Sequence, residues 1–263
     1  MENSDYLKNL NENQLEAVKT IDGPVMVFAG AGTGKTRTLI SRIVYMIKEC
    51  NIQPYHILAI TFTKKATNEM RERLEKQIES KAKFVHISTI HSLCANILRR
   101  NATYLDYGRN FEVIDEEDQV KILNEIYKKS EINRRVLSPK VAIKAIGDFK
   151  NKSCLELVGL LKTVYNEYQT FLKENNMMDF EDLLVLTYQL FKENPNILEY
   201  YQDEFKYILV DELQDTNVVQ YDIINLLCQK YENIFAVGDD DQSIYSFRGA
   251  KIENMMKFKE DHP

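Results

Sequence analysis

Phe28-Ala29-Gly30-Ala31-Gly32-Thr33-Gly34-Lys35-Thr36 is the stretch that decides how this chain folds. A short apolar run, Val25-Met26-Val27-Phe28, leads into it, and Arg37-Thr38-Leu39-Ile40-Ser41-Arg42-Ile43-Val44 follows with apolar residues at helical spacing. Strand, glycine-rich turn and helix, with Gly-Lys-Thr at the joint, is the phosphate-binding P-loop arrangement. Glycines let consecutive backbone N–H groups converge on phosphate oxygens, and the helix N-terminus adds a favourable dipole. Lys35 is placed to reach the β- and γ-phosphates and the Thr36 hydroxyl to ligate Mg²⁺. Ala29 stands where the usual motif begins with glycine, and it is small enough for the same turn.

The bulk properties bound what else is possible. At 263 residues and 44% hydrophobic, the chain can bury one substantial core, or one core and a smaller companion. Lys+Arg total 34 against 40 Asp+Glu, a net charge of -6, so any nucleic-acid contact must come from a local basic or aromatic track. No apolar stretch approaches membrane-spanning length, and the start, Met1-Glu2-Asn3-Ser4-Asp5, lacks a basic segment followed by an apolar one. A cytoplasmic protein without a membrane segment is expected. Cys50, Cys94, Cys154 and Cys228 are scattered, which indicates neither a disulfide framework nor a zinc knuckle. His91 and Cys94, three apart on a helix, would make half a metal site, but no second ligand pair accompanies them.

Near-continuous apolar runs at Val25–Phe28, His56–Thr63, Phe84–Ser88 and Tyr207–Val210 read as buried strands followed by helices, and a fifth, Asn233–Val237, precedes Gly238. They predict an α/β fold whose parallel sheet is covered on both faces. Between about 110 and 205 the texture becomes helical. Asp115 and Ser138-Pro139 read as helix starts, Leu155–Leu172 and Phe180–Phe191 as further helices, and Phe111–Ile114 as one short strand-like run. A helical subdomain inserted into the α/β domain is expected, with segments 1–109, 110–202 and 203–263.

Tyr207-Ile208-Leu209-Val210 ends in Asp211-Glu212. Ligands of parallel α/β sheets collect at the carboxyl ends of strands, where P-loop enzymes hold Mg²⁺ on an aspartate. Asp211 is the expected metal ligand, and Glu212 is available to deprotonate an attacking water. Asp211 follows Lys35 by 211 − 35 = 176 residues, too far for one βαβ unit, which independently supports the insertion. A third element, Val237 to Ala250, also begins where an apolar strand stops and would bring Gln242 near the γ-phosphate. Its three consecutive aspartates lack the spacing of a Ca²⁺ loop.

Thr61-Phe62-Thr63-Lys64-Lys65 closes the second strand, and Tyr245 and Phe247 flank the third element. Aromatics beside hydroxyls and lysines suit a single nucleic-acid strand, bases stacking at about 1–3 kcal/mol each. The competing reading makes Phe62 and Phe247 ordinary core aromatics.

Together and in order, these residues resemble the UvrD/Rep/PcrA group of superfamily 1 DNA helicases, over essentially the whole chain. The matching segments are Asn13-Gln14, Ala29 to Thr36 with Arg37, Thr61 to Ala66, Ser88 to Ser92, Asp179 to Leu184, Asp211 to Asn217 and Val237 to Ala250. The resemblance implies a RecA-like P-loop NTPase that uses ATP and Mg²⁺, translocates 3′→5′, and engages single-stranded DNA and duplex junctions. It implies that Gln14 and Arg37 contact the base, that Gly30, Ala31, Gly32, Thr33, Gly34, Lys35 and Thr36 cradle the phosphates, and that Gln242 senses the γ-phosphate. Phe62, His91, Phe180, Tyr245 and Phe247 would line DNA, and Arg248 would couple it to the nucleotide. Phe247 stands for the family's usual Trp, Leu213 for Tyr and Ile90 for Phe, so weaker base contacts are expected. The family continues into a second RecA-like domain that supplies arginines to the phosphate. The 263 residues alone are therefore expected to be monomeric, to hydrolyse ATP slowly and not to unwind DNA. The alternative is a non-catalytic module switched by ATP.

Overall fold

The apolar runs do form strands. The computed structural model describes residues 5–30, 32–239 and 250–262. Its strands are β1 (Val25–Phe28), β2 (Ile57–Thr61), β3 (His86–Thr89), β4 (Glu112–Val113), β5 (Met177–Met178), β6 (Tyr207–Val210) and β7 (Ile234–Gly238). The α-helices are α1 (Glu12–Lys19), α2 (Lys35–Lys48), α3 (Lys64–Ile78), α4 (Ile90–Asn101), α5 (Glu116–Lys129), α6 (Pro139–Lys150), α7 (Gly159–Glu174), α8 (Phe180–Glu193), α9 (Pro195–Glu204), α10 (Val218–Cys228) and α11 (Ala250–Asp261).

Five strands make a parallel sheet in the order β1-β7-β6-β2-β3. Its register pairs Val25 with Phe235, Ile208 with Ile234, Ile57 with Tyr207 and Leu58 with His86. Because every pair is parallel, the carboxyl ends of β1, β7, β6 and β2 share one edge, and the sheet gathers there the loops that follow them. Leu39, Ile43 and Val44 of α2 and Met70 and Leu74 of α3 pack with Ala59, Leu209, Phe235 and Val237 into one core. β2 starts at Ile57, not His56, because Pro54–His56 is a 3₁₀ turn, and residues 79–84 form another that delays β3 to His86.

Contact density divides the chain into two units, one of residues 1–90, 195–217 and 224–263 and one of 91–194 and 218–223. The second has its own core, including Leu123, Tyr127, Ile146, Val164, Tyr168 and Leu172. Asp115 and Ser138 cap α5 and α6 as the sequence predicts, accepting from the N–H groups of Asp118 and Val141. One expected boundary fails here. The helix expected from Leu155 begins at Gly159, since Ser153 and Cys154 donate back to the Asp148 carbonyl and complete the end of α6. Beside the one short run expected, Met177–Met178 forms a second strand, paired in parallel with Glu112–Val113. Helix α9, not anticipated, starts at Pro195, a residue pre-set for a helix's first turn.

Candidate nucleotide-binding site

Directly after β1, the Ala29 N–H donates to the Gly238 carbonyl at the end of β7, 2.9 Å away, continuing the β1–β7 ladder into the loop. Gly32 (φ +76°) and Gly34 (φ +94°) hold left-handed backbone that other residues adopt only with strain. The Thr33 hydroxyl donates to the Gly30 carbonyl at 2.7 Å, and α2 then starts at Lys35. Thr36 lies in its first turn, where the N–H groups lack helical partners.

Lys35 is the centre of the site. Its Nζ donates to Glu212 Oε2 at 2.9 Å and to Asp239 Oδ2 at 3.2 Å. Burial alone would lower its pKa, but the hydrogen bonds and charges of Glu212 and Asp239 raise it above the ordinary value. Gln214 joins the two strand ends. Its Nε2 donates to Glu212 Oε2 at 2.6 Å, and its Oε1 accepts the Asp239 N–H at 3.1 Å. Glu212 itself occupies left-handed backbone, φ +52°.

Asp211 follows β6, its N–H donating to the Ile60 carbonyl of β2 at 2.9 Å. Its Oδ1 is buried without a hydrogen-bond partner among the described residues. Burial pushes the carboxyl up to about 6, with the Glu212 charge adding to the rise and Lys35 opposing it. A buried, orphaned carboxylate oxygen is costly unless something cationic meets it. The donor set of Asp211 with the Thr36 hydroxyl, all oxygen, fits Mg²⁺.

Gln14 sits in the first turn of α1, where its Oε1 accepts the Asn11 N–H and its own N–H donates to Asn11 Oδ1, a capping box. Its Nε2 donates to the Thr33 carbonyl of the phosphate loop at 2.9 Å. Arg37 donates to the Asn9 carbonyl and lines a cavity of about 250 Å³ with Tyr6, Ser41, Arg73 and Lys76. Ala31 and the predicted Gln242, Tyr245, Phe247 and Arg248 lie outside the described residues.

Of the predicted stacking residues, Phe62 is 57% exposed at the end of β2, which overturns its reading as a core aromatic. Thr61 is buried, its hydroxyl bonded to Thr67 Oγ1, and Thr63 caps α3 through the Ala66 N–H. In the other unit the His91 and Phe180 rings pack at a tilt of 35° with centroids 4.5 Å apart, Phe180 52% exposed, and burial lowers the His91 pKa. Among the described residues no cluster of three or more His, Cys, Asp or Glu could hold a metal, and no helix is long and apolar enough to cross a membrane.

Asp239 and Gln214 were not among the predicted site residues. Asp239 follows the apolar β7, the same signal that marks Asp211 after β6. Gln214 lies within the Asp211–Asn217 segment that carries the resemblance, but its role has no sign in the residue type, because its amide acts between two strand ends that only the sheet brings together.

Residues 10–263 match the model of the UvrD/REP helicase N-terminal domain. The chain is 44% identical to proteins named ATP-dependent DNA helicase PcrA from Staphylococcus aureus (strain Mu50 / ATCC 700699) and Staphylococcus epidermidis (strain ATCC 12228 / FDA PCI 1200). In both cases the match covers 98% of this chain and 37% of the relative, so the chain spans little more than a third of the length of these curated relatives. The five-stranded parallel sheet, the ordered motifs and the family match agree: this chain belongs to the UvrD/REP helicase N-terminal domain family.

Proposed function

We propose that this chain is the ATP-binding and single-stranded-DNA-contacting part of an ATP-dependent 3′→5′ DNA helicase. The observation that carries the reading is Lys35 between Glu212 and Asp239, with the orphaned Asp211 oxygen at the same sheet edge. An arriving triphosphate would draw Lys35 off Glu212 and free that carboxylate. Glu212 then takes a proton from water, whose oxygen bonds to the γ-phosphorus as the bond to the β–γ bridging oxygen breaks and ADP leaves. Mg²⁺, held by Asp211 and Thr36, would neutralise charge on the phosphates. Gln14 and Arg37 would contact the base, and Gln242 the γ-phosphate.

Phe62 is a proposed stacking surface of the first unit, where Thr61 and Thr63 shape its loop, and the His91–Phe180 pair is one of the second; Tyr245 and Phe247 are proposed DNA contacts as well. Arg248 is the proposed link between nucleotide and DNA. The proposed division is an ATPase domain of 1–109 and 203–263 with a helical insertion of 110–202. The relatives' greater length supports a longer protein, in which a second RecA-like domain supplies the arginines worth about 10³–10⁵ in rate. The 263 residues alone are proposed to bind ATP, turn it over slowly and leave duplexes intact.

Glu212→Gln in the longer protein is the test. Retained ATP binding, with DNA-stimulated phosphate release down at least about 10²-fold, supports the reading. Unchanged phosphate release in that variant would make the chain an ATP-switched binding module instead.

A further inference from the structure

Arg42 is the largest fully buried side chain described, 2% exposed, and a guanidinium needs acceptors when it leaves water. It finds them on backbone. It donates to the carbonyls of Ala17 (2.6 Å), Thr20 and Ile21 (3.0 Å), while Phe235 lies beneath its plane, 4.4 Å from the ring centroid. Ala17 and Thr20 belong to the last turn of α1 and its cap, where carbonyls lack helical partners and a cation also meets the negative end of the helix dipole. Burial lowers the Arg42 pKa to about 10, opposed by Asp22, and leaves it charged at neutral pH.

Helix α1 has eight residues and one fully buried apolar side chain, Val18. A helix of two turns does not hold itself in water, so its place is set by its anchors. One anchor is the capping box and the Gln14–Thr33 bond at its start. The other is Arg42, one turn beyond Gln14. Two more side chains of α2 clasp the preceding segment, Ser41 on the Tyr6 carbonyl at 2.8 Å and Arg37 on that of Asn9 at 3.4 Å. Helix α2 also begins with Lys35 and Thr36, so a single rigid element sets both the phosphate cradle and the stand of Gln14.

We infer that Arg42 is a positioning residue for nucleobase recognition, acting through α1 on Gln14. This rests on the proposed contact between Gln14 and the base. The test competes ATP against inorganic tripolyphosphate, which has no base, for the wild-type chain, R42K, R42Q, Q14A and the R42Q/Q14A double variant. R42Q is expected to weaken ATP about tenfold, the worth of one lost buried hydrogen bond, while tripolyphosphate binding holds. R42K should recover part of the loss, and the double variant should be no worse than Q14A. Hydrogen exchange in α1 should quicken in R42Q and stay slow in β2 and β6.

Equal losses for ATP and tripolyphosphate in R42K and R42Q, or global unfolding of both, would make Arg42 a core residue only and overturn the inference. Additive effects of R42Q and Q14A would overturn the route through Gln14. If Q14A alone leaves the ATP-to-tripolyphosphate ratio unchanged, it is the base-reading role of Gln14 that fails, and the inference falls with it. If Q14A shifts the ratio and R42Q does not, only the inference fails.

Discussion

Replacing Lys150 by Met should cost the helical unit about 3–5 kcal/mol at pH 7, the usual penalty for removing one partner of a buried ion pair. Lys150 is 5% exposed, and its Nζ lies 2.6 Å from Asp179 Oδ2 and 2.7 Å from Asp182 Oδ1, both carboxylates buried. Tyr168 OH (3.1 Å) and Gln119 Nε2 (3.2 Å) also donate to Asp179 Oδ2. The ionised cluster carries +1 − 2 = −1, and the Met variant −2, with only neutral donors left. Burial already pushes the Asp182 carboxyl up despite the attraction of Lys150. A carboxyl raised in the folded state loses stability as pH rises from its unfolded to its folded pKa, so acid should return part of what K150M removes. K150M/D182N restores the net charge to −1 and keeps an oxygen to accept the Asp179 N–H, and should recover at least about 1 kcal/mol as in other buried pairs. Hydrogen exchange of α6 and α8 amides, measured at pH 5 and 7, reads these differences locally. A K150M loss under about 1 kcal/mol, or one that grows in acid, would refute the buried-charge reasoning.

Two further outcomes follow from the nucleotide site. With the Asp211 carboxyl at about 6, Mg²⁺-dependent ATP binding should fall as pH drops below 6, approaching tenfold per unit once the protonated form dominates. Calorimetric titration at pH 5, 6 and 7 checks this, and the D211N variant should show no such slope. Gly34→Ala should weaken nucleotide binding and destabilise the loop by about 1–2 kcal/mol, since only glycine holds its left-handed backbone without strain. The added Cβ meets Gln14 Nε2 at an ordinary 3.6 Å, so strain, not collision, is the cause; an unchanged melting temperature would contradict it.

What could be read in advance divides along a physical line. The strands and the phosphate loop were legible because burial on both faces writes continuous apolar runs, and because glycines at fixed offsets serve one backbone geometry. Asp115 and Ser138 were legible because a cap acts on N–H groups three residues away. Lys150 and Arg42 were not: each lies in an amphipathic helix where a charge ordinarily faces water, and only distant partners show that it does not. Asp239 was hidden in a run of three aspartates, in which the residue types alone do not tell which one meets Lys35. The Met177–Met178 strand is two residues long, too short to have any period of its own.

Glu212 stands where the chain bends left-handed, a conformation costing a non-glycine residue about 1–2 kcal/mol. At that one position the local fold would be better served by glycine or asparagine, and the proposed chemistry by glutamate. Thermal tolerance and turnover therefore pull the same codon in opposite directions. A library enriched solely for heat resistance should drift toward glycine at 212 and yield a sturdier protein that has discarded its proposed proton acceptor.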